Sequence, residues 1–226
     1  MSTIPTLHDG AITLRPIHVR DARDIESLLL SNRAWLQPWE ATNPQGTGRW
    51  DVKGSIRSLL SQAAKHQTLP FVILLEGRIV GQLTVSGMTY GAVSSATIGY
   101  WIAKDAAGHG VMTVATALAA DHCLLSIGMH RIEICIRPEN DKSLRIVEKL
   151  GFRYEGLRRR FIHIDGDWRD HVCFAVVREE VPNGVLHRWR AGHADPSLAS
   201  VPEGDLVRAR QSLTPQPRRD AGPPTG

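Results

Sequence analysis

The segment around Gly108-His109-Gly110 constrains the fold of this chain more than any other feature of its sequence. An apolar run, Ile98-Gly99-Tyr100-Trp101-Ile102, precedes these glycines, and a helix-forming stretch, Val111 to Leu125, follows them. The pattern predicts a strand, a glycine-rich turn and a helix. Because glycine adopts positive φ without strain, such a turn can present the unpaired N–H groups of a helix start to an anion. We expect either a phosphate or pyrophosphate site here or a turn with a purely structural role.

Two familiar phosphate-binding motifs do not fit this turn. A P-loop has Lys and then Ser or Thr directly after its last glycine, whereas this chain has Val111-Met112 there. A dinucleotide-binding fingerprint has a third glycine and an acidic residue that closes the next strand, and neither is present. An anion site in this turn would therefore belong to another class.

The composition favours one domain with additional segments. The 226 residues, 42% of them hydrophobic, suffice for one sizeable core and leave little room for two. The formal net charge of +4 would help to hold a polyanionic cofactor or to approach a ribosomal surface, but it is more typical of a charge that maintains solubility, and we expect no direct binding of nucleic acid. Residues 1–10 lack a basic region followed by an apolar run, and no stretch is long enough for a membrane span. We expect a cytoplasmic protein that does not insert into membranes.

The three cysteines, Cys123, Cys135 and Cys173, lie in apolar periodic stretches. Their spacing does not match a metal-ligand motif such as Cys-x-x-Cys. We therefore expect three reduced thiols in the core of the domain and no bound metal.

Hydrophobic periodicity predicts a mixed α/β fold in the order βααβββαβαββ. The predicted strands cover Ala11 to Pro16, Phe71 to Leu75, Ile79 to Ser86, Ala96 to Ile102, Arg131 to Ile136, Phe152 to Ile164 and Trp168 to Arg178. The predicted helices cover Val19 to Leu30, Asp51 to His66, Val111 to Leu125 and Ser143 to Leu150. An irregular segment with three tryptophans, Ser31 to Trp50, could roof a binding cleft.

The composition changes after Asn183. Proline recurs among Gly, Ser and Arg, and aromatic residues are almost absent. Such a segment buries too little apolar surface to offset the entropy lost on ordering it. We predict a folded domain over residues 1–182 and a Pro/Arg-rich tail over residues 183–226 that is mostly disordered, with a short helix at Asp205 to Ser212.

Three segments together carry a resemblance to a known family across about residues 10 to 180. They are Tyr100-Trp101-Ile102 to Thr113, Arg137-Pro138-Glu139-Asn140-Asp141-Lys142-Ser143 to Lys149-Leu150-Gly151-Phe152, and Trp168-Arg169-Asp170-His171. The chain resembles the GNAT superfamily of acyl-CoA-dependent N-acyltransferases, and within it the RimJ/RimL group of ribosomal-protein N-terminal acetyltransferases. The resemblance implies the GNAT fold, a central, mostly antiparallel, twisted sheet of about seven strands with flanking helices, splayed between the fourth and fifth strands.

The resemblance also implies acetyl-CoA as the co-substrate and a place for each part of it. The family motif Gln/Arg-x-x-Gly-x-Gly/Ala falls on Asp105 to Gly110, and this chain departs from it at Asp105, where the family has a cationic or amide side chain. The pantetheine arm would lie against the backbone of Trp101 and Ile102 and would contact Asn140, which also suits the N-cap of the following helix. The pyrophosphate would bind the backbone amides of Gly108, His109, Gly110, Val111, Met112 and Thr113.

Direct transfer to an amine needs a proton donor for the CoA thiolate and a base for the amine. By resemblance to the RimJ/RimL group, Ser143 would lie near the CoA sulfur and protonate it, although an ordinary serine in the first helical turn would look the same. No covalent cysteine intermediate is required. The sequence does not identify the base. Glu133 is the nearest strand carboxylate and Glu40 lies in the tryptophan-rich segment, and each is also compatible with a structural or solvated charge.

For the acceptor, the resemblance places Trp35, Trp39 and Tyr100 beside the binding site, although loop tryptophans are also common packing anchors. The acceptor would be a protein N-terminus, for example that of a ribosomal protein, or a small amine such as an antibiotic, a polyamine or an amino acid. The unidentified base and Asp105 leave a third alternative, a non-catalytic acyl-CoA-binding module. The protein would act as a monomer or a homodimer.

Overall fold

Residues 4–46 and 51–211, described by a computed structural model, form one sheet of eight strands with helices on both faces. The strands are β1 Leu7–Asp9, β2 Ile12–Pro16, β3 Leu69–Leu75, β4 Arg78–Thr89, β5 Ser95–Ile102, β6 Arg131–Ile136, β7 Arg153–Ile164 and β8 Asp167–Val177. The α-helices of this part of the chain are α1 Ala22–Ser31, α2 Arg33–Leu36, α3 Val52–Ala64, α4 Val111–Asp121, α5 Asp141–Leu150, α6 Val185–Arg190 and α7 Glu203–Arg210. No helix within the described ranges is both long and apolar enough to cross a lipid bilayer.

The predicted mixed α/β fold is confirmed, with one strand more than expected. The extra strand, β1, has three residues and pairs with β2 through Leu7 and Leu14. It is too short to show the alternation that identifies a strand in a sequence. The tryptophan-rich segment contains the short helix α2, and its third tryptophan, Trp50, lies outside the described residues.

The sheet opens in its middle, between β5 and β6. The strand order is β1-β2-β3-β4-β5-β6-β8-β7, and every neighbouring pair is antiparallel except β5 and β6. These two strands pair only from Ser95 opposite Arg131 to Thr97 opposite Glu133. Beyond Thr97, β5 continues to Ile102 beside β4, whereas β6 continues beside β8. The predicted splay is therefore confirmed, and it leaves the facing backbone edges of β5 and β6 without a strand partner.

Two apolar clusters cover the two faces of the sheet. On one face, α4 and α5 pack over a cluster that includes Ile134 of β6. On the other face, α1 and α3 contribute Ile25 and Ile56 to a smaller cluster. Side chains alternate along β5, so Tyr100 packs against the first cluster and Trp101 against the second. Neighbouring residues of β5 therefore reach opposite sides of the open gap.

Residues 183–211 are folded, so the prediction of a mostly disordered tail is wrong for them. Val185, the first residue of α6, is fully buried, and the Asp121 carboxylate at the end of α4 accepts hydrogen bonds from the N–H groups that begin α6. Composition cannot reveal this packing, because the apolar surface and the acceptors lie on α4 and α5. The predicted helix at Asp205 to Ser212 corresponds to α7, and residues 212–226 lie outside the described part of the chain.

Cys135 and Cys173 form a disulfide between β6 and β8, so the prediction of reduced thiols is wrong for this pair. The two residues are cross-strand partners with Cα atoms 4.2 Å apart, although 38 positions separate them in the sequence. Such a pairing depends on strand register, which cysteine spacing does not reveal. Cys123 is free and buried, and burial raises the pKa of its thiol to about 12.

Candidate active site

The gap between β5 and β6 opens into a cavity with a volume of about 490 Å³. Asn140 and Ser143, at the start of α5, line the cavity on one face of the sheet. On the other face it is lined by α1 and α3 together with Trp39 and Glu40, which follow α2. The cavity thus passes through the sheet, and two molecules that enter from opposite faces can meet in the gap.

The glycine turn before α4 has the backbone conformation that its sequence predicts. Gly108 has a φ of +88° and Gly110 a φ of +79°, both in the left-handed region that favours glycine. The first backbone hydrogen bond of α4 runs from the N–H of Val114 to the carbonyl of Gly110, at 3.1 Å. The N–H groups of residues 111–113 therefore have no acceptor one turn back within the helix.

At the start of α4, the predicted ligand-binding residues offer a ligand backbone groups and no side chains. The side chains of Val111, Met112 and Thr113 are buried in the core, whereas that of His109 is exposed. Asp105, at the position where the sequence departs from the family pattern, is exposed on the short helical turn that precedes the glycines. Any anion held here would be held by N–H groups, as the sequence analysis expects.

At the start of α5, Asn140 caps the helix and positions Ser143. The Asn140 side-chain oxygen accepts a hydrogen bond from the N–H of Ser143 at 3.2 Å, so the predicted N-cap is present. The Tyr100 hydroxyl is buried beside Ser143, and burial raises the pKa of Tyr100 to about 12, with the Ser143 side chain opposing the shift. The two hydroxyls do not reach hydrogen-bond geometry, and the Tyr100 oxygen has no partner among the described residues. A buried hydroxyl without a partner in the gap suits a ligand that enters from the α5 side.

The two tryptophans predicted to flank the acceptor have different surroundings. Trp39 lines the cavity, and the guanidinium of Arg137 lies 5.4 Å from its ring centroid. Arg137 also donates to the carbonyl of Pro38 at 2.6 Å, which holds this segment against the end of β6. Trp35 does not line the cavity. Its indole N–H donates to the Ile102 carbonyl at 3.0 Å, so it anchors the loop to β5.

The two carboxylates predicted as candidate bases are both ion-paired. Glu133 lies away from the cavity, 3.0 Å from Arg131 and 2.8 Å from Arg158. Glu40 lines the cavity and pairs with Arg33. The structure therefore brings Glu40 into the cleft but places Glu133 in a structural ion-pair network.

Within the described residues, one group of side chains places its ligand atoms close enough together for a metal ion. It consists of Glu133, Cys135 and Cys173, whose ligand atoms lie within 4.8 Å of one another. The two sulfur atoms are bonded to each other, so neither is the thiolate that metals bind. We therefore assign no metal to this group.

His171 is a cavity-lining residue that the sequence analysis did not select. It lies on β8, its side chain is only 3% exposed, and its ring contributes to the cavity wall. The sequence predicts that Trp168-Arg169-Asp170-His171 belongs to the last turn and strand and lines the cleft only in part, and it assigns no role to His171 itself. The alternation along β8 was the available signal, because it places a polar residue in phase with the buried Cys173.

A known family spans most of the elements that build this cleft. The sequence profile described as an acetyltransferase (GNAT) domain matches residues 11–153. The chain belongs to the GNAT acetyltransferase family. It is therefore an acetyl-CoA-dependent N-acetyltransferase of the GNAT type, as the resemblance of its motifs predicted.

Relatives of this GNAT chain match it over most of their own length. The solved structure of Mycobacterium smegmatis RimJ in complex with CoA-disulfide is 39% identical, with a TM-score of 0.75 over 84% of this chain and 94% of that one. The probable N-acetyltransferase YjcK of Bacillus subtilis is 30% identical over 179 residues, which are 77% of this chain and 98% of that protein. The ribosomal protein uS5-alanine N-acetyltransferase of Escherichia coli is 28% identical over 172 residues, covering 74% and 87%.

Proposed function

We propose that this GNAT acetyltransferase transfers the acetyl group of acetyl-CoA to the N-terminal α-amino group of a ribosomal protein. The observation that carries the proposal is the cavity through the open sheet, because it offers one face to a cofactor arm and the other to a chain terminus. The similarity to Mycobacterium smegmatis RimJ and to the Escherichia coli uS5-alanine N-acetyltransferase supports this acceptor.

In this proposal, acetyl-CoA lies along the α4 and α5 face. The N–H groups from Gly108 to Thr113 receive the pyrophosphate, since the start of α4 favours negative charge. The pantetheine arm follows the edge of β5 beyond Thr97, which has no strand partner on the side of β6. The thioester then comes to lie in the gap, near Tyr100 and Ser143. The complex of Mycobacterium smegmatis RimJ with CoA-disulfide supports the binding of a CoA ligand.

Transfer proceeds by direct attack. The neutral amine nitrogen bonds to the carbonyl carbon of the thioester, a tetrahedral oxyanion forms, and the C–S bond breaks to release the CoA thiolate. Ser143, positioned by the Asn140 cap, gives its hydroxyl proton to the thiolate, and a proton from the amine nitrogen restores the hydroxyl. Tyr100 keeps its proton because burial raises its pKa to about 12, and its hydroxyl is a second donor beside the leaving sulfur.

The acceptor enters from the α1 and α3 face. Trp39 supplies an apolar wall on this side of the cavity, next to Glu40, whose carboxylate is paired with Arg33. A protein α-amino group suits this site better than a lysine or polyamine nitrogen. Its ordinary pKa of about 7.7–8.0, against about 10.4 for lysine, leaves roughly 200- to 400-fold more of it neutral at pH 7.

The test incubates the purified protein and acetyl-CoA with each member of a panel of acceptors. The panel contains peptides with ribosomal-protein N-termini, the same peptides with blocked N-termini and an internal lysine, spermidine and free amino acids. We expect CoA release with the free N-termini, with fragment masses that place the acetyl group on the α-nitrogen. Turnover of spermidine or amino acids alone would favour a small-amine acetyltransferase. Tight acetyl-CoA binding without any turnover would favour an acyl-CoA-binding module.

A further inference from the structure

The reaction requires a group that takes a proton from the acceptor, because an ammonium has no lone pair with which to attack a thioester. Neither carboxylate predicted from the sequence is free for this task, since Glu133 lies outside the cavity and Glu40 is paired with Arg33. We propose that His171 is the general base, and that its Nε2 atom takes the proton from the acceptor amine. The proposal rests on the proposed function only in that an amine must reach the gap from the α1 and α3 face.

The position of His171 in the sheet directs it toward the acceptor side. Val172 and Phe174 of β8 belong to the cluster under α4 and α5, so the alternation of the strand turns His171 to the opposite face. That face carries Trp39 and Glu40, which line the same cavity as His171. The last cross-strand pair of β6 and β8 joins Ile136 to Val172, so His171 lies just beyond the end of β6, past the point where β5 and β6 stop pairing.

The hydrogen bonding of the ring fixes which nitrogen can act as a base. The Nδ1 atom lies 3.0 Å from the backbone carbonyl oxygen of Arg169. A carbonyl oxygen only accepts hydrogen bonds, so Nδ1 carries the hydrogen and Nε2 carries the lone pair. No described residue donates a hydrogen bond to Nε2. The ring of Phe161, in an edge contact with centroids 5.9 Å apart, further restricts the imidazole.

The surroundings of His171 keep the imidazole neutral. Burial is the largest influence and lowers its pKa, and the positive charge of Arg137 acts in the same direction. The Arg169 carbonyl and the carboxylates of Glu139 and Asp170 oppose this shift without reversing it. Two further charged residues face the same region, Arg158 opposite His171 on β7 and Glu40 across the cavity, and each is held in an ion pair. A neutral imidazole is the form that accepts a proton.

The proton balance of the step follows from these positions. Nε2 takes one proton from the ammonium, which leaves a neutral amine and an imidazolium. The amine attacks the thioester, its second proton passes to the Ser143 hydroxyl as that group protonates the thiolate, and the imidazolium later releases its proton to water. The products are the acetylated amine and CoA thiol, and no further reactant is needed.

The test compares His171→Gln with a control variant over a range of pH. At pH 7 we expect kcat/KM for the acceptor peptide to fall about 100-fold or more, within the range for loss of a general base. Above pH 9 the α-amine is already deprotonated, and the deficit should shrink to less than about 10-fold. The wild-type profile should show an acidic limb below the ordinary histidine pKa of about 6.5, whereas the rate of His171→Gln should already fall below the ordinary α-amine pKa of about 7.7–8.0, because that variant reacts only with the neutral amine.

A control variant and the affinity for acetyl-CoA distinguish the loss of a base from the loss of a structural residue. His122→Gln is the matched control, because burial also lowers the pKa of His122 and this residue does not line the cavity. The control should keep kcat/KM within about twofold, and both variants should keep the wild-type affinity for acetyl-CoA. Imidazole added to His171→Ala should restore part of the rate. A deficit that is the same at pH 7 and pH 9, or unchanged activity at pH 7, would overturn the proposal.

A measurement without turnover tests the same residue. Nitrogen-15 spectra of the imidazole should show a neutral ring with the hydrogen on Nδ1 and a midpoint of protonation below that of a free histidine. The other tautomer, or a raised midpoint, would exclude His171 as the base. If the acceptor is a small amine and not a protein terminus, the proposed function fails, and the same comparison made with that amine still decides the role of His171.

Discussion

The pyrophosphate site proposed at Gly110 depends on the conformation of the backbone and not on a side chain. The Gly110 φ of +79° is strained for any other residue, yet a Cβ added there would meet no atom within 4 Å. Gly128, which ends the helical segment after α4, has the same properties, with a φ of +82° and the same open surroundings. Gly110 directly precedes α4, whereas Gly128 follows the far end of that helical segment, and neither glycine lines the cavity. The two glycines therefore differ in position but not in local geometry.

We predict that Gly110→Glu abolishes acetyl-CoA binding while the protein stays folded. A carboxylate beside the N–H groups of residues 111–113 repels the pyrophosphate and displaces charge-assisted hydrogen bonds worth roughly 1.5–3 kcal/mol each, so the affinity should fall about 100-fold or more. Calorimetric titration with acetyl-CoA measures the effect. Gly128→Glu has the same backbone strain, of about 1–2 kcal/mol, and the same charge, and it should bind normally. Equal affinities of the two variants would show that the pyrophosphate binds elsewhere.

The structure confirms the predicted local geometry at the glycine turn and at the start of α5, where sequence spacing alone defines it. Asn140 and Ser143 are three positions apart at a helix start, and the two glycines flank one residue before another helix, so short-range geometry decides both. His171 depends instead on the phase of β8 and on where β6 ends. Likewise, the pairing of β6, β7 and β8 decides whether the Glu133 side chain pairs with arginines or lines the cleft. Periodicity within one strand does not define that pairing.

At the scale of elements, α6 holds the ends of two longer helices. The Asp121 carboxylate at the end of α4 accepts the first N–H groups of α6, and Arg188 within α6 donates to the carbonyl of Gly151 at the end of α5, 3.0 Å away. The segment was predicted to be disordered because its own composition is polar and proline-rich. Its order comes from the buried side chains of Val185 and Ala199, from partly buried apolar neighbours, and from hydrogen bonds to carbonyl and carboxylate groups far away in the sequence.

We predict that a chain ending at residue 182 is much less stable than one ending at residue 211. Losing the burial of the Val185 side chain costs about 1.5–3 kcal/mol, and leaving the half-buried Asp121 carboxylate without its hydrogen-bond donors costs about 1–3 kcal/mol. At roughly 2–4 °C per kcal/mol for a protein of this size, the melting temperature should differ by about 10 °C. Thermal unfolding followed by circular dichroism measures the difference. Equal melting temperatures would mean that α6 adds nothing to the stability of α4 and α5.

At the scale of the whole molecule, the sheet consists of two parts that share only three pairs of residues between β5 and β6. This opening creates the cleft, and the buried histidine His171 lines it. A second histidine, His122, is half-buried where α4 ends. Burial is the largest influence on both and lowers both pKa values, so the folded protein holds two imidazoles in their neutral form. Protonation of His171 would therefore affect both the proposed proton transfer and the stability of the fold.

We predict that the free energy of unfolding decreases as the pH falls below about 6.5, the ordinary histidine pKa. Below that value the unfolded chain binds protons that the folded protein excludes from His122 and His171, so stability is lost by up to about 1.4 kcal/mol per pH unit for each residue. The raised pKa of Asp121 acts in the opposite direction, while the lowered pKa of Asp21 and of Glu155 adds to the loss only near the ordinary carboxyl range. Urea unfolding measures the free energy of unfolding at pH 7.0 and at pH 5.5. The loss between these two pH values should therefore be smaller for the double variant His122→Gln/His171→Gln than for the wild type. An equal loss in both proteins would assign the acid sensitivity to groups other than these two histidines.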